Sequence, residues 1–83
     1  ILKTGVPNVF VSEHCFGGGR CGVVVVNNRD VPYEGTPEIW KNWSVRRVVV
    51  EDPANASFAD GKLKIAPCAG VLLLMAKDGV DWL

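Results

Sequence analysis

The fold is decided by Arg20-Cys21-Gly22-Val23-Val24-Val25-Val26-Asn27-Asn28. Its run of consecutive valines is β-branched and too short for a helix, so it predicts a β-strand. A strand with one face in water alternates apolar and polar residues, whereas this one is apolar throughout. We therefore expect a central strand that is covered on both faces, entered by a glycine turn and ended by two asparagines.

Segments on both sides of this stretch also predict strands. Residues 9–15 are rich in β-formers, and Gly17-Gly18-Gly19 separates them from the central strand. Glycines adopt the positive φ angles of a hairpin turn, so residues 9–15 and the central strand form a predicted hairpin. Residues 45–51 and 71–76 are two more apolar strands, which we expect to cover the central one.

The second half of the chain contains another hairpin signal. Asp60-Gly61 separates a short strand at residues 56–58 from residues 62–67, where Leu63 and Ile65 alternate with lysines. Leucine and methionine also favour helix, so residues 69–77 admit a helical alternative to the last strand.

The long connection over residues 28–44 carries frequent turn residues, and we predict it to be irregular. Within it, residues 38–43 either form one helical turn or cap an open end of the sheets. Residues 1–8 contain Gly5 and Pro7, which predict a lead-in without regular structure.

These elements together predict an all-β chain. We expect a small antiparallel β-sandwich with Greek-key-like connections and five to seven strands. We expect residues 1–83 to form a single domain, with a lead-in at 1–8 and a tail at 78–83. A domain of this size buries only about 60% of its unfolded surface, so a covering partner is expected.

The charge balance narrows the classes of partner. Nine basic and nine acidic residues give a formal net charge of zero. Nucleic acids and anionic membrane surfaces attract a basic excess, so we expect neither as the main partner. No apolar run reaches the ~18 residues of a membrane-spanning helix.

Three cysteines leave at least one thiol free or paired with another chain. Cys15 and Cys21 face each other across the predicted hairpin, and two interpretations stay open there. They form a disulfide, or they remain reduced and act as small hydrophobic residues. Cys68 has no predicted partner. Cys15, Cys21 and His14 lack the spacing of a zinc site, so no metal or other cofactor is expected.

Two stretches carry a resemblance to a known family. The first is Val9-Phe10-Val11-Ser12-Glu13, a glycine hairpin, and then Cys21-Gly22-Val23-Val24-Val25-Val26-Asn27-Asn28. The second is Asp60-Gly61-Lys62-Leu63-Lys64-Ile65-Ala66-Pro67-Cys68-Ala69-Gly70-Val71-Leu72-Leu73-Leu74. Together they resemble the C-terminal β-sandwich that follows the catalytic barrel in many glycoside hydrolases, notably those of the alpha-amylase superfamily.

This resemblance implies a role without catalysis. In that family the catalytic carboxylates lie in the barrel, so no catalytic residue is carried over to this chain. The implied function is an accessory, stabilising domain that packs on a catalytic barrel and sometimes contacts carbohydrate. The chain alone is then not an enzyme, although it would be part of one.

Three aromatic residues in the middle connection are the candidate binding residues. Tyr33, Trp40 and Trp43 would suit a platform that stacks on sugar rings, or they would pack at an interface. The alternative functions are therefore an independent carbohydrate-binding module that uses residues 33–43, or a protein–protein interaction domain.

Other chemistry-bearing side chains have simpler interpretations. A single histidine on a strand, next to an acid, is typical of a polar surface, which is how we interpret His14 and Glu13. Asp30, Glu34 and Glu38 share one polar loop, where solvated charges are expected rather than a pair of glycosidase carboxylates.

Overall fold

The computed structural model describes residues 1–82, which form nine β-strands and no helix. In chain order the strands are β1 (Leu2–Lys3), β2 (Val9–Gly17), β3 (Arg20–Asn27), β4 (Tyr33–Gly35), β5 (Glu38–Ile39), β6 (Trp43–Val49), β7 (Ala56–Ala59), β8 (Lys62–Ile65) and β9 (Gly70–Lys77). Seven of these strands have three or more residues, and β1 and β5 have two each. The all-β fold class is confirmed.

The strands form two main sheets and a short ribbon, and all pairings are antiparallel. A four-stranded sheet has the order β2-β3-β9-β6, a three-stranded sheet has the order β4-β8-β7, and β1 pairs with β5. Buried side chains from both sheets, including Val25 and Leu73 of one and Leu63 of the other, belong to one core cluster. The hairpins β2–β3 and β7–β8 each stay within one sheet, and the chain crosses directly from one main sheet to the other after β3, β6 and β8. These crossings give a sandwich-like fold with Greek-key-like connections.

β3 is central in its sheet, as predicted, but its two faces differ. Cys21, Val23 and Val25 are fully buried, whereas Val24 is half-buried and Val26 is 37% exposed. The prediction that both faces are covered is therefore wrong at this end of the strand. β9 pairs with β3 and β6 pairs with β9, so the strands expected to cover β3 instead extend its sheet sideways.

The first hairpin agrees with its predicted turn. The register runs from Val9 opposite Asn27 to Cys15 opposite Cys21, and a bulge follows between Cys15 and Gly17. Glycines 17, 18 and 19 have φ angles of 81°, 65° and 79°. Side chains with a Cβ rarely adopt this region, which explains the glycine run.

The second hairpin also follows the sequence pattern. Asp60 and Gly61 have φ angles of 52° and 78°, as expected for the central residues of a tight hairpin turn. In β8, Leu63 and Ile65 are buried while Lys62 and Lys64 are exposed. β8 pairs with β4 on one side and with β7 on the other, so its apolar side chains form the centre of the second sheet.

Short strands replace two segments that were predicted to be irregular. Residues 28–44 contain β4, β5 and the start of β6, with no helical turn. The predicted last strand is confirmed as β9, so the helical alternative for residues 69–77 is wrong. The lead-in contains β1, whose Leu2 is buried opposite Ile39. These two- and three-residue strands are held by long-range pairing, which local sequence does not reveal. The predicted tail has no strand over residues 78–82, and Leu83 lies outside the described residues.

Asn27, at the end of β3, joins the two sheets. Its side chain is fully buried, and its Nδ2 lies 2.9 Å from the Val31 carbonyl oxygen, 3.2 Å from that of Ile65 and 3.2 Å from that of Ala66. Three carbonyl acceptors around one atom identify it as the amide nitrogen. One polar side chain therefore connects the four-stranded sheet to the end of β8 and to the loop that leads to β4.

Candidate functional site

The three predicted aromatic residues do not share one exposed surface. Tyr33 is 3% exposed, because β4 places it opposite Ile65 with its side chain in the core, and this burial raises the pKa of its hydroxyl. Trp43 is half-buried against the core, with the Lys77 Nζ 5.8 Å from its ring centroid. A sugar platform needs exposed ring faces, so the three rings together cannot form one.

Trp40 is the exposed member of this set, at 59%. Its backbone is fixed at the end of β5, where its amide donates to the Ile1 carbonyl at 2.8 Å and its carbonyl accepts from the Trp43 amide at 3.1 Å. It is thus an isolated aromatic side chain on a structured turn.

A larger apolar surface lies on the four-stranded sheet, on the face opposite the core. We call it the outer face and define it by three rows of residues that are paired across the strands. The rows are Phe10, Val26 and Gly70; then Ser12, Val24, Leu72 and Val49; then His14, Gly22, Leu74 and Arg47. In β3 and β9 these residues alternate with fully or nearly fully buried ones, and their cross-strand partners in β2 and β6 lie on the same face. The whole set therefore faces away from the second sheet. The buried residues are Cys21, Val23, Val25, Val71, Leu73 and Met75.

Exposed apolar side chains are concentrated on this face. Phe10 is 55% exposed, Val49 41% and Val26 37%, and Phe16 at the adjacent bulge is 68% exposed. Outside this sheet, only Val31 and Trp40 are large apolar side chains with comparable exposure in the described part of the chain. Large exposed apolar patches are uncommon on monomeric proteins and mark interaction sites.

The tail covers one end of the outer face. The rings of Phe16 and Trp82 meet edge to face with centroids 5.7 Å apart, and Trp82 Nε1 donates to the Met75 carbonyl at 2.8 Å. A Cβ added at Gly22 would lie 3.5 Å from the Phe16 ring, so this ring lies on the glycine. The row that contains Gly22 is therefore partly covered, while the row that contains Phe10 remains open.

Two neighbouring arginines at the outer face, Arg46 and Arg47, differ in the contacts of their guanidinium groups. Arg46 donates to the Ser44 hydroxyl and to the Lys77 carbonyl, both at 2.9 Å, and lies 3.8 Å from the Asp81 carboxylate. Arg47, the next residue, is exposed on the outer face opposite Leu74. Its guanidinium makes no hydrogen bond or ion pair with any other residue between 1 and 82.

The candidate acid and base residues are engaged elsewhere. Glu13 accepts from the N-terminal ammonium of Ile1 at 2.5 Å and from the Leu2 amide at 3.0 Å. Burial tends to raise the pKa of Glu13, but these two contacts outweigh it and hold that pKa below its usual value. His14 instead lies on the outer face, where its Nε2 is 2.9 Å from the Ser12 hydroxyl.

The loop carboxylates are not assembled into a pair. Asp30, Glu34 and Glu38 are exposed, and Glu34 lies 3.4 Å from the Lys62 ammonium across the second sheet. Within residues 1–82, histidine, cysteine, aspartate and glutamate side chains form no group of three suited to a metal ion.

Of the two interpretations of the cysteines, the structure contains the disulfide. Cys15 lies opposite Cys21 with a Cα–Cα distance of 4.0 Å, and the two sulfur atoms are bonded. Cys68 is exposed with a free thiol, in a left-handed backbone conformation with φ of 56°.

No family model, curated protein or solved structure matches this chain. Between residues 1 and 82 there is no helix that is long and apolar enough to cross a membrane. The outer face is thus the strongest candidate site, and it is recognised from its own geometry and exposure. Sequence analysis missed it as a site, although the unusually apolar β3 and β9 were its signal.

Proposed function

We propose that this chain is a non-catalytic accessory domain of a carbohydrate-active enzyme, and that it packs through its outer face on the catalytic barrel. The observation that carries the packing role is the exposure of Phe10, Val26 and Val49 on one sheet. At ~25 cal/mol per Å² of apolar surface, removing such a face from water stabilises both partners by several kcal/mol.

The contrast between the two sheets supports this role. The corresponding face of the three-stranded sheet presents Glu34, Lys62 and Lys64, which are all exposed, and Glu34 is paired with Lys62. A charged, paired surface of this kind is adapted to water, whereas the outer face of the four-stranded sheet is adapted to contact.

The resemblance of residues 9–28 and 60–74 to the sandwiches that follow glycoside hydrolase barrels suggests which partner the domain covers. An assay of the purified chain on soluble glucans tests this proposal. We expect no hydrolysis above the buffer control. Turnover that is abolished by a single carboxylate substitution, such as Glu34→Gln, would assign catalysis to this chain and contradict the proposal.

Trp40 supports a second candidate, carbohydrate binding by the exposed ring. Titration with soluble glucans, followed by tryptophan fluorescence, separates the two roles. A saturable response that Trp40→Ala removes would favour a binding module. An unchanged spectrum at millimolar sugar would leave the packing role alone.

A further inference from the structure

We propose that Asn42 is an N-glycosylation site, and that the first sugar of its glycan packs on the exposed ring of Trp40. This inference does not depend on the proposed packing role, because residues 40–42 are not part of the outer face. Three observations carry it: an acceptor triplet on an exposed turn, a tryptophan on the same turn and a disulfide elsewhere in the fold.

The acceptor triplet is Asn42-Trp43-Ser44, an asparagine followed two residues later by serine. Asn42 is exposed, and its side-chain amide makes no hydrogen bond with any other residue between 1 and 82. The buried amide of Asn27, by contrast, faces three carbonyl oxygens. The Asn42 Nδ2 can therefore carry a sugar without the loss of any contact within the described fold.

The turn that holds Asn42 has a defined backbone. The Trp43 amide donates to the Trp40 carbonyl at 3.1 Å, which closes a turn of four residues. Asn42 is the third of them, with φ of 71°, while Lys41 before it has no positive φ. This combination defines a type II turn, whose third position favours glycine or asparagine. The Asn42 carbonyl also accepts from the Asp78 amide at 2.8 Å, so the acceptor residue is fixed at an exposed position.

Trp40 places an apolar surface beside the acceptor. It is 59% exposed and is the first residue of the turn in which Asn42 is the third. The Cα atoms of residues two apart in sequence are separated by at most ~7 Å, so the Trp40 ring and a sugar on Asn42 are within reach of each other. Aromatic rings pack on the apolar faces of sugar rings, and this contact would remove part of the Trp40 ring from water.

The disulfide between Cys15 and Cys21 indicates the compartment in which the chain folds. Disulfides form and persist in oxidising environments such as the lumen of the endoplasmic reticulum, and they are rare in the cytosol. N-glycans are attached in that same lumen. The disulfide lies in the β2–β3 hairpin and the triplet at the start of β6, so two separate features of the chain agree on one route.

The modification is a group transfer from a polyprenyl-diphosphate-linked oligosaccharide. The bond between the sugar C1 and the diphosphate oxygen breaks, a bond forms between C1 and the Asn42 Nδ2, the amide loses one proton, and the polyprenyl diphosphate leaves. The transferase recognises the Ser44 hydroxyl, which in the fold is half-buried and accepts from the Arg46 Nε at 2.9 Å. Ser44 also lies opposite Ala76 of β9. We therefore expect the transfer to precede the pairing of β6 with β9.

The first experiment tests the acceptor. The 83-residue chain is expressed behind a cleavable secretion signal in a eukaryotic cell line, and every variant carries Asn55→Gln because Asn55-Ala56-Ser57 is a second acceptor triplet. We expect a glycoform, and peptide N-glycosidase should convert position 42 to aspartate in the peptide map. Asn42→Gln and Ser44→Ala should each abolish the glycoform. Medium and cell lysate are both analysed, and an unmodified Asn42 in both would overturn the inference.

The second experiment tests the contact with Trp40. An endoglycosidase trims the glycan to one N-acetylglucosamine, and the Tm is compared with that of the same chain made without a glycan in a bacterial periplasm. We expect the sugar to raise the Tm by roughly 4 °C. Trp40→Ala should remove this gain and Trp40→Phe should keep most of it. Phe10→Ala is the matched control, since Phe10 is 55% exposed in another strand, and it should keep the gain. No gain, or a gain that survives Trp40→Ala, would refute the packing of the sugar on Trp40.

Discussion

Replacing Asn27 with aspartate exchanges an amide that donates hydrogen bonds for a carboxylate of nearly the same shape that only accepts them. In the native chain the Asn27 Nδ2 faces the carbonyl oxygens of Val31, Ile65 and Ala66 at 2.9–3.2 Å. An NH₂ group has two hydrogens, so it makes at most two full hydrogen bonds with these three acceptors. The substitution turns this attractive contact into a repulsive one.

The cost follows from the bonds that are lost. Two hydrogen bonds at about 1–1.5 kcal/mol each contribute roughly 2–3 kcal/mol, and an ionised carboxylate against carbonyl oxygens adds a desolvation penalty. We therefore expect Asn27→Asp to destabilise the fold by about 3 kcal/mol or more at pH 7. This is a large fraction of the ~5–15 kcal/mol that stabilises a typical domain. Asn27→Ala, which removes the donors without adding a charge, should cost about 2–3 kcal/mol.

The pH dependence makes the prediction specific. Burial and the carbonyl dipoles raise the pKa of the carboxyl group introduced at position 27 above its unfolded value of about 3.9. A raised folded pKa means that the variant is least destabilised below that unfolded value, where the carboxylic acid can donate one hydrogen bond. Stability is then lost as the pH rises towards and through the folded pKa.

Urea denaturation at pH 4 and pH 7, followed by fluorescence, measures this difference. Asn28→Asp is the control, because Asn28 is exposed and, among residues 1–82, only its backbone amide is bonded, to the Asn8 carbonyl at 2.8 Å. Its cost should stay below about 0.5 kcal/mol at both values of pH. The reasoning would be refuted if Asn27→Asp cost less than about 1 kcal/mol at pH 7, or the same at both values.

Three further predictions concern separate contacts. The lowered pKa of Glu13 means that its contacts stabilise the fold above the usual value of 4.5 and lose this effect as the pH falls through the folded pKa. The 83-residue chain should therefore be more stable than its Glu13→Gln variant by roughly 1 kcal/mol at pH 7, and the two should be equally stable at pH 2. N-terminal acetylation should reduce the difference in stability at pH 7. Reduction of the disulfide, or the substitution Cys15→Ser, should lower the free energy of unfolding by about 2 kcal/mol. Iodoacetamide without reductant should label one cysteine per chain, not three. Gly35→Ala places a Cβ 2.8 Å from the Tyr33 hydroxyl and should lower the free energy of unfolding, measured in urea, by about 1–3 kcal/mol. Gly22→Ala, whose added Cβ has its nearest contact at 3.4 Å, should lower it by less than about 1 kcal/mol. Equal losses of stability in the two variants would contradict this prediction.

The strongest elements of this fold were predictable because their signals are local. The glycine turn before Arg20, the Asp60-Gly61 turn and the alternation of Leu63 and Ile65 each predict an element that the structure contains. Positive φ angles and two-residue periodicity are read from neighbouring residues alone, so no knowledge of the partner strand was needed.

The short strands were not predictable for the opposite reason. Tyr33–Gly35 is a strand because it pairs with β8, and Leu2 is ordered because it lies opposite Ile39. Neither pairing leaves a pattern within three residues of sequence. The same limit applies to the candidate binding residues. Tyr33 and Trp40 look equivalent in the sequence, yet one is buried and the other exposed.

The outer face lies between these two cases. The sequence showed that β3 was too apolar for a strand with one wet face, and the structure shows that its second face is open at Val26. The excess of apolar residues was a correct signal. The prediction that strands of this chain cover this second face was wrong, because sequence does not distinguish a face that is covered within the chain from one that is left exposed.

The position of β9 has a consequence for synthesis. This strand follows the other eight described strands in sequence, yet it lies in the middle of its sheet, between β3 and β6. Its pairing with β3 joins Val26 to Gly70, so the four-stranded sheet cannot close until residues 70–77 have left the ribosome. Until then β3 and β6 present unpaired, apolar edges, which are prone to aggregation. Because this closure joins distant parts of the chain, we expect slow folding, and we expect truncation before Gly70 to remove the fold entirely rather than one strand of it.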